Sequence, residues 1–283
     1  MALSSARKAD SELSRYENMT EGYEDVFDFF LSVLRIQNRA YRESSVSFPG
    51  KAGKLRKRLE ESRRLVRPEE VSTPRSGYIE CLEGIQAEMK KRWTGGTRFG
   101  LVSDLEELSR RRFSGFIRGM ASGKGSYLRG LPARTRIKKD TLRFTLESAA
   151  TPFMSRLSSD VSKRVELSLW QRGTCPVCGR LPVIARLRQE DGARFLYCGF
   201  CTTEWRYPRL KCVNCGNEDQ FTMRYFFCED DRGHRVDVCE LCKRSIRTTD
   251  ERVLGRAVVC EVENWVTSFL NDRAKREGYK PTG

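Results

Sequence analysis

Four Cys-x-x-Cys pairs fall within the 68 residues from 175 to 242: Cys175/Cys178, Cys198/Cys201, Cys212/Cys215 and Cys239/Cys242. Two thiolates separated by two residues can turn toward one ion, and two such knuckles complete a tetrahedral four-sulfur shell. Eight of the eleven cysteines therefore suffice for two closed metal sites. Consecutive pairing puts Cys175, Cys178, Cys198 and Cys201 on one ion, with 19 residues between the knuckles. It puts Cys212, Cys215, Cys239 and Cys242 on the other, with 23 between. Each gap fits a β-hairpin carrying a knuckle at each end, as in zinc ribbons and rubredoxins. A crossed pairing, first knuckle with third and second with fourth, ranks lower because each half reads as self-contained. Gly179 and Gly216 directly follow a knuckle, where a left-handed backbone is often required.

Four sulfurs fill a shell, which favours structural or electron-holding metal over hydrolysis and leaves zinc and iron both open. His234, the only histidine, sits among Asp231, Arg232 and Arg235 and reads as a surface residue. Cys81, Cys228 and Cys260 read as small buried hydrophobes, since no Cys–His pairing is visible. With the one histidine read as lying in a solvated loop, a Ser-His-Asp arrangement is not expected, and Glu69/Glu70 and Asp230/Asp231 read as solvated carboxylates. The glycine run from Gly119 to Ser126 lacks phosphate-loop spacing and reads as a loop.

The 283 residues carry a net charge of +15, concentrated in residues 1–170, which hold 33 Lys+Arg against 22 Asp+Glu. Basic clusters at Lys51–Arg67, Arg110–Arg112 and Arg134–Arg143 lack interleaved aromatics and read as solvated helix faces rather than a nucleic-acid site. No apolar run is long enough for a membrane span, and the polar start lacks a secretory signal, so membrane insertion is not expected and cytoplasm is the expected compartment. There, clustered cysteines are metal ligands rather than disulfides.

The pattern along the chain is α+β. A polar tail occupies 1–16, and an α-helical domain occupies 17–170. Its predicted helices run over Thr20–Arg42, Ala52–Val66, Ser76–Trp93, Ser103–Met120 (with a Ser103/Glu106 capping box) and Asp140–Trp170, the last containing Pro152. Two tandem metal-binding β units of the rubredoxin or zinc-ribbon kind follow, at 171–210 and 211–250. Their strands are predicted over Pro182–Leu187, Arg194–Tyr197, Trp205–Leu210, Thr222–Phe227 and Arg235–Val238. A closing helix and tail occupy 251–283, with Leu254, Val258, Val262, Trp265, Val266, Phe269 and Leu270 at helical spacing.

The run Gly173-Thr-Cys175-Pro-Val-Cys178-Gly179 after Trp170, then Arg194 through Trp205, then Arg209-Leu-Lys211-Cys212-Val-Asn-Cys215-Gly216, resembles the cysteine region of formate dehydrogenase accessory proteins, the FdhE family. Thr151-Pro152-Phe153 and Cys239-Glu-Leu-Cys242-Lys243 extend the likeness, which is specific from about 150 to 280. The resemblance implies a cytoplasmic, non-enzymatic maturation factor that binds the formate dehydrogenase catalytic subunit and holds rubredoxin-type iron, or zinc, in its cysteine motifs. Trp205 and Arg209, between the two sites, are the candidate contacts to that partner, the alternative for Trp205 being that it packs between the hairpins. The rival reading is a zinc-ribbon nucleic-acid binder using its basic helical surface.

Overall fold

The computed structural model describes residues 6–16, 22–92, 105, 107, 109–129, 137–228 and 231–282. Its helices are α1 (Ala6–Leu13), α2 (Glu24–Glu43), α3 (Ala52–Glu60), α4 (Arg75–Arg92), α5 (Arg110–Ala121) and α6 (Lys139–Arg164). Glu24 and Asp25 complement the amino-terminal dipole of α2, which buries Phe27, Phe29, Leu31, Val33 and Leu34. α2, α4 and α6 pack on one another, and α6 is the axis of the domain. From Ser148 to Ser155 it is buried on every side, so its sequence shows no amphipathic stripe.

Pro152 lies inside α6 and has no N–H for the carbonyl of Ser148, four residues earlier. The side-chain amide of Gln37 on α2 donates to that carbonyl at 2.9 Å, so the orphaned acceptor becomes an interhelical bond. Tyr78 on α4 adds a second interhelical bond, its hydroxyl donating to the carbonyl of Leu146 at 3.1 Å.

Several predicted boundaries move. Residues 6–16, expected as a tail, are helical and docked, with Ala9 and Tyr16 buried, because Glu12 pairs with Arg256 and Tyr16 donates to Glu263. α3 stops at Glu60, and the chain beyond it becomes a strap whose Leu65 and Val66 amides donate to the carbonyls of Pro176 and Val177. α5 starts after Ser109, whose hydroxyl caps Arg112. The expected Ser103/Glu106 capping box lies outside the described residues. α6 ends at Arg164, short of Trp170.

The carboxyl-terminal half is one sheet: β1 (Ile184–Leu187), β2 (Arg194–Tyr197), β3 (Glu204–Arg206), β4 (Met223–Cys228), β5 (Asp231–Cys239), β6 (Arg244–Asp250) and β7 (Lys280–Pro281), in the order β3-β2-β1-β6-β5-β4 with β7 on β6. The two units are thus fused through the parallel pair β1·β6, with Ile184 opposite Arg247 and Leu187 opposite Asp250. β6 has the sequence RSIRTTD and no strand pattern, which is why reading the chain missed it. Tertiary partners supply what hydrophobicity does not. Arg247 donates to Asn264 and Thr267, Thr248 to Asp237, and Thr249 to Glu263. The closing helical pattern is three short helices, α7 (Glu251–Leu254), α8 (Cys260–Val266) and α9 (Phe269–Arg276), broken first at left-handed Gly255.

His234 corrects the sequence reading most sharply, being 2% exposed within β5. Its Nδ1 lies 2.6 Å from Asp231, also expected as solvated, and its Nε2 lies 2.7 Å from Glu263 of α8. Tyr16 and Thr249 donate to the same Glu263 carboxylate, and Arg256 lies over the Tyr16 ring. Burial lowers the imidazolium pKa, but hydrogen bonds and charge from Asp231 and Glu263 outweigh it and hold the value up, at about 9 against 6.5. A value raised by folding stabilises fully below about pH 6.5 and loses that contribution as pH climbs through about 9. The size is on the order of 3 kcal/mol. Urea unfolding curves of wild type and His234→Gln should therefore differ most below pH 6.5 and converge toward pH 9. A gap independent of pH would refute the charged network.

Candidate metal centres

Each knuckle has the same local construction. The residue after its second cysteine donates its amide to the carbonyl of its first cysteine: Gly179 to Cys175, Thr202 to Cys198, Gly216 to Cys212 and Lys243 to Cys239, at 2.9–3.0 Å. All four donors have left-handed backbones, with φ of 78°, 55°, 75° and 51° in that order. The turn folds the backbone over and leaves both sulfurs pointing out of its open side. Glycine takes this conformation without cost, so only half of the pattern was visible as glycine in the sequence. Thr202 is held in place by its hydroxyl, 2.6 Å from that of Ser155 on α6.

The structure gathers the eight predicted thiols into two groups by consecutive pairing. In each group the four sulfurs lie within 4.8 Å of one another. Cys175–Cys201 and Cys178–Cys198 are 3.4 and 3.5 Å apart, and Cys201–Cys178 is 3.6 Å. Cys212–Cys242 and Cys215–Cys239 are 3.6 and 3.7 Å apart. A tetrahedron of sulfurs about 2.3 Å from a central ion has edges of about 3.8 Å, whereas a disulfide needs about 2.05 Å. The donor set therefore fits a four-thiolate ion, and all four positions of each shell are thiol. That chemistry suits structural or one-electron metal and offers no place for a metal-bound water.

The two groups sit in different surroundings. The first belongs to the main core: Cys175, Cys178, Cys198 and Cys201 are members of the buried cluster that also holds Trp170, Val177 and Phe200. Ser158 of α6 meets Thr203 at 2.6 Å, and the Thr203 hydroxyl lies 3.0 Å from the Cys201 sulfur. Arg180 forks onto Glu147 of α6, donates to the Met120 carbonyl, and stacks 3.7 Å above the Phe200 ring. In the second group Cys212 and Cys239 are buried, Cys242 is half-buried and Cys215 is exposed. Burial pushes the Cys212 thiol up, to about 12. Burial also opposes ionisation of Cys239, but the Cys242 and Leu241 amides and the Asn217 side chain bring it down to about 7.

Reading the sequence missed the arginine that joins the two units. Arg194, 2% exposed on β2, reaches the carbonyls of Arg209 and Lys211 and the carboxylate of Asp237 on β5. A buried guanidinium between hairpins is invisible locally, since its partners lie 15 to 43 residues away. Trp205 is 1% exposed, packs in the main core, and donates its indole N–H to the Arg172 carbonyl at 3.0 Å, so its side chain holds the hairpin. Arg209 is exposed. Cys81 and Cys260 are buried as expected.

Fold and site together define a class: a helical domain carrying a double four-cysteine platform. Residues 174–209 match the family model described as the FdhE central domain. The chain is 34% identical over 146 residues to a protein FdhE homolog of Aquifex aeolicus, covering 50% of each chain. It is 30% identical over 112 residues to protein FdhE of Escherichia coli O1:K1, covering 38% of this chain and 35% of that one. The aligned part thus spans half or less of the length of these curated relatives. The crystal structure of the FdhE protein from Pseudomonas aeruginosa has the same fold, with a TM-score of 0.70 at 20% identity over 98% of this chain and 94% of that one. These findings support the FdhE family, the one that the cysteine region resembles.

The left-handed knuckle residues give a direct test. Gly216→Ala should cost about 1 kcal/mol for a Cβ in that conformation alone, since its surroundings are open. Gly179→Ala should cost more, because its Cβ would also meet the Arg64 side chain at 3.1 Å. Thermal unfolding of the metal-loaded variants measures both, and equal losses would contradict the crowding at Gly179.

Proposed function

We propose that this protein is a cytoplasmic accessory factor for formate dehydrogenase maturation, which binds the dehydrogenase catalytic subunit and catalyses no reaction itself. The observation that carries this reading is the pair of closed four-sulfur shells within a cysteine region of FdhE type. A shell with no open position supports a binding platform rather than a hydrolytic centre. Among the described residues no helix is long and apolar enough to cross a membrane, which is compatible with work on a partner before export. Cys175, Cys178, Cys198 and Cys201 would hold one ion and Cys212, Cys215, Cys239 and Cys242 the other, as iron or zinc. Such an ion would tie its hairpin ends together and, if iron, could also hold an electron.

Of the two residues proposed as partner contacts between the sites, Arg209 is exposed and Trp205 is buried. The two residues should separate cleanly on substitution. Trp205→Ala should lose roughly 3–5 kcal/mol of stability, as large buried aromatics do. Arg209→Ala should stay within about 0.5 kcal/mol of wild type and yet weaken capture of the catalytic subunit. The measurement is co-purification of that subunit with the tagged full chain from the native cell, alongside elemental analysis of bound metal. Undiminished capture by Arg209→Ala would remove Arg209 from the contact, and absence of the subunit from the wild-type sample would overturn the maturation role.

A further inference from the structure

The two four-cysteine groups have identical knuckles but opposite accessibility, and the difference bears on what an ion in each can do. Any incoming donor must approach a metal–sulfur bond to displace it. At the first group every cysteine is at most 3% exposed. Three separate closures cover it: the strap at Leu65 and Val66, the Ser155–Thr202 and Ser158–Thr203 bonds to α6, and Arg180 clamped between Glu147 and Phe200. A cavity of about 550 Å³ between α2, α6 and β2 has Cys198 in its wall, yet that cysteine is 1% exposed, so reaching these sulfurs requires a local opening of the closures that cover them, at a cost in free energy. At the second group nothing has to open. Cys215 is exposed and Cys242 half-buried, and Leu241, inside the same knuckle as Cys242, is 66% exposed.

The strands that carry the second group are also held without it. β5 and β6 pair along Cys239–His234 and Arg244–Thr249, Val236 and Val238 pack on Leu270 and Ala274, and Arg194 reaches across from β2. Loss of an ion there removes a tie at one end of a sheet that keeps its other bonds. Loss of an ion from the first group leaves four thiols in the middle of the main core.

From this asymmetry we propose that the ion held by Cys212, Cys215, Cys239 and Cys242 is exchangeable, passing by ligand substitution to incoming thiols, while the ion of the first group is permanent. Cys215 is the first leaving ligand. In the first exchange an incoming thiol would form a metal–sulfur bond as the metal–Sγ bond of Cys215 broke, its proton passing to the Cys215 sulfur; Cys242, Cys212 and Cys239 would be displaced in the same way, one thiol and one proton for each, and no electron would move. The acceptor class is a thiol-bearing group able to reach an open protein surface. The inference rests on both groups holding metal, and not on the identity of the protein partner.

The test uses the full chain loaded with zinc and a chromogenic zinc chelator, 4-(2-pyridylazo)resorcinol, with glutathione as the competing thiol. Two ions per chain should be present at the start. One should leave at least about tenfold faster than the other, reflecting access without unfolding. After the fast phase, circular dichroism should be unchanged, and iodoacetamide followed by peptide mass mapping should mark Cys212, Cys215, Cys239 and Cys242 while sparing the first four. Glutathione should speed the fast phase only. Cys215→Ser should bind one ion and show only the slow phase. Release in a single phase, alkylation of Cys175, Cys178, Cys198 or Cys201 in the fast phase, or loss of the fold with the first ion would each overturn the division between the sites. Fewer than two ions in the loaded chain would instead overturn the reading of both groups as metal centres. The labelling pattern decides the question on the wild-type chain, whether or not the serine variant folds.

Discussion

The first four-cysteine group is built into the place where helices and sheet meet. Its knuckle residues Thr202 and Thr203 bond to Ser155 and Ser158, three residues apart and so on one face of α6. Pro176 and Val177, inside the first knuckle, accept the backbone amides of the strap that follows α3. A helix, a strap and two turns thus converge on a volume that four thiols must also fill. An ion there would stabilise the junction of the whole molecule, since its ligands belong to the main core rather than to a small satellite core.

The second unit is held by a different kind of interaction. β6 lies at the centre of the sheet and buries Ser245, Arg247, Thr248, Thr249 and Asp250, a composition that would ordinarily be costly to remove from water. Much of the cost is offset by pairing: Arg247 with Asn264 and Thr267, Thr248 with Asp237, Thr249 with Glu263, while the Ser245 hydroxyl and the Arg247 Nε stay unpaired. His234 extends the same network from β5 to Tyr16 at the amino terminus through Glu263. The short docked helix α1, the middle of the sheet and α8 are thereby coupled by hydrogen bonds of charged groups, which are stronger than neutral ones and more exacting in geometry.

These two modes of attachment explain which parts of the molecule could be read from the chain. The cysteine pairing was legible because knuckle spacing is local chemistry, repeated four times. Strands such as Arg194–Tyr197 and the helix from Arg75 to Arg92 were legible from propensity and hydrophobic period. β6 was not, because a central strand made of Arg, Ser, Thr and Asp carries no apolar alternation. His234 was misplaced for the same reason. Its sequence neighbours are charged, and the carboxylate that keeps it buried lies 29 residues away on α8. Trp205 was visible as important, but only tertiary contacts show that it faces inward. Half of the left-handed knuckle positions were hidden as well, since Thr202 and Lys243 adopt a backbone that sequence convention assigns to glycine.

The fused sheet adds a constraint that two independent ribbons would lack. β6 begins two residues after Cys242 of the second group, and its far end pairs in parallel with β1, the strand that follows the first knuckle of the first group. Rigid-body separation of the two units would break that ladder and the contacts of Arg194 together. The exposed group is therefore presented at a fixed position relative to the buried one and to the helical domain, with Cys215 at the surface. A protein that serves a partner by contact gains from such a frame, since a surface already ordered before binding loses less conformational entropy when the partner arrives.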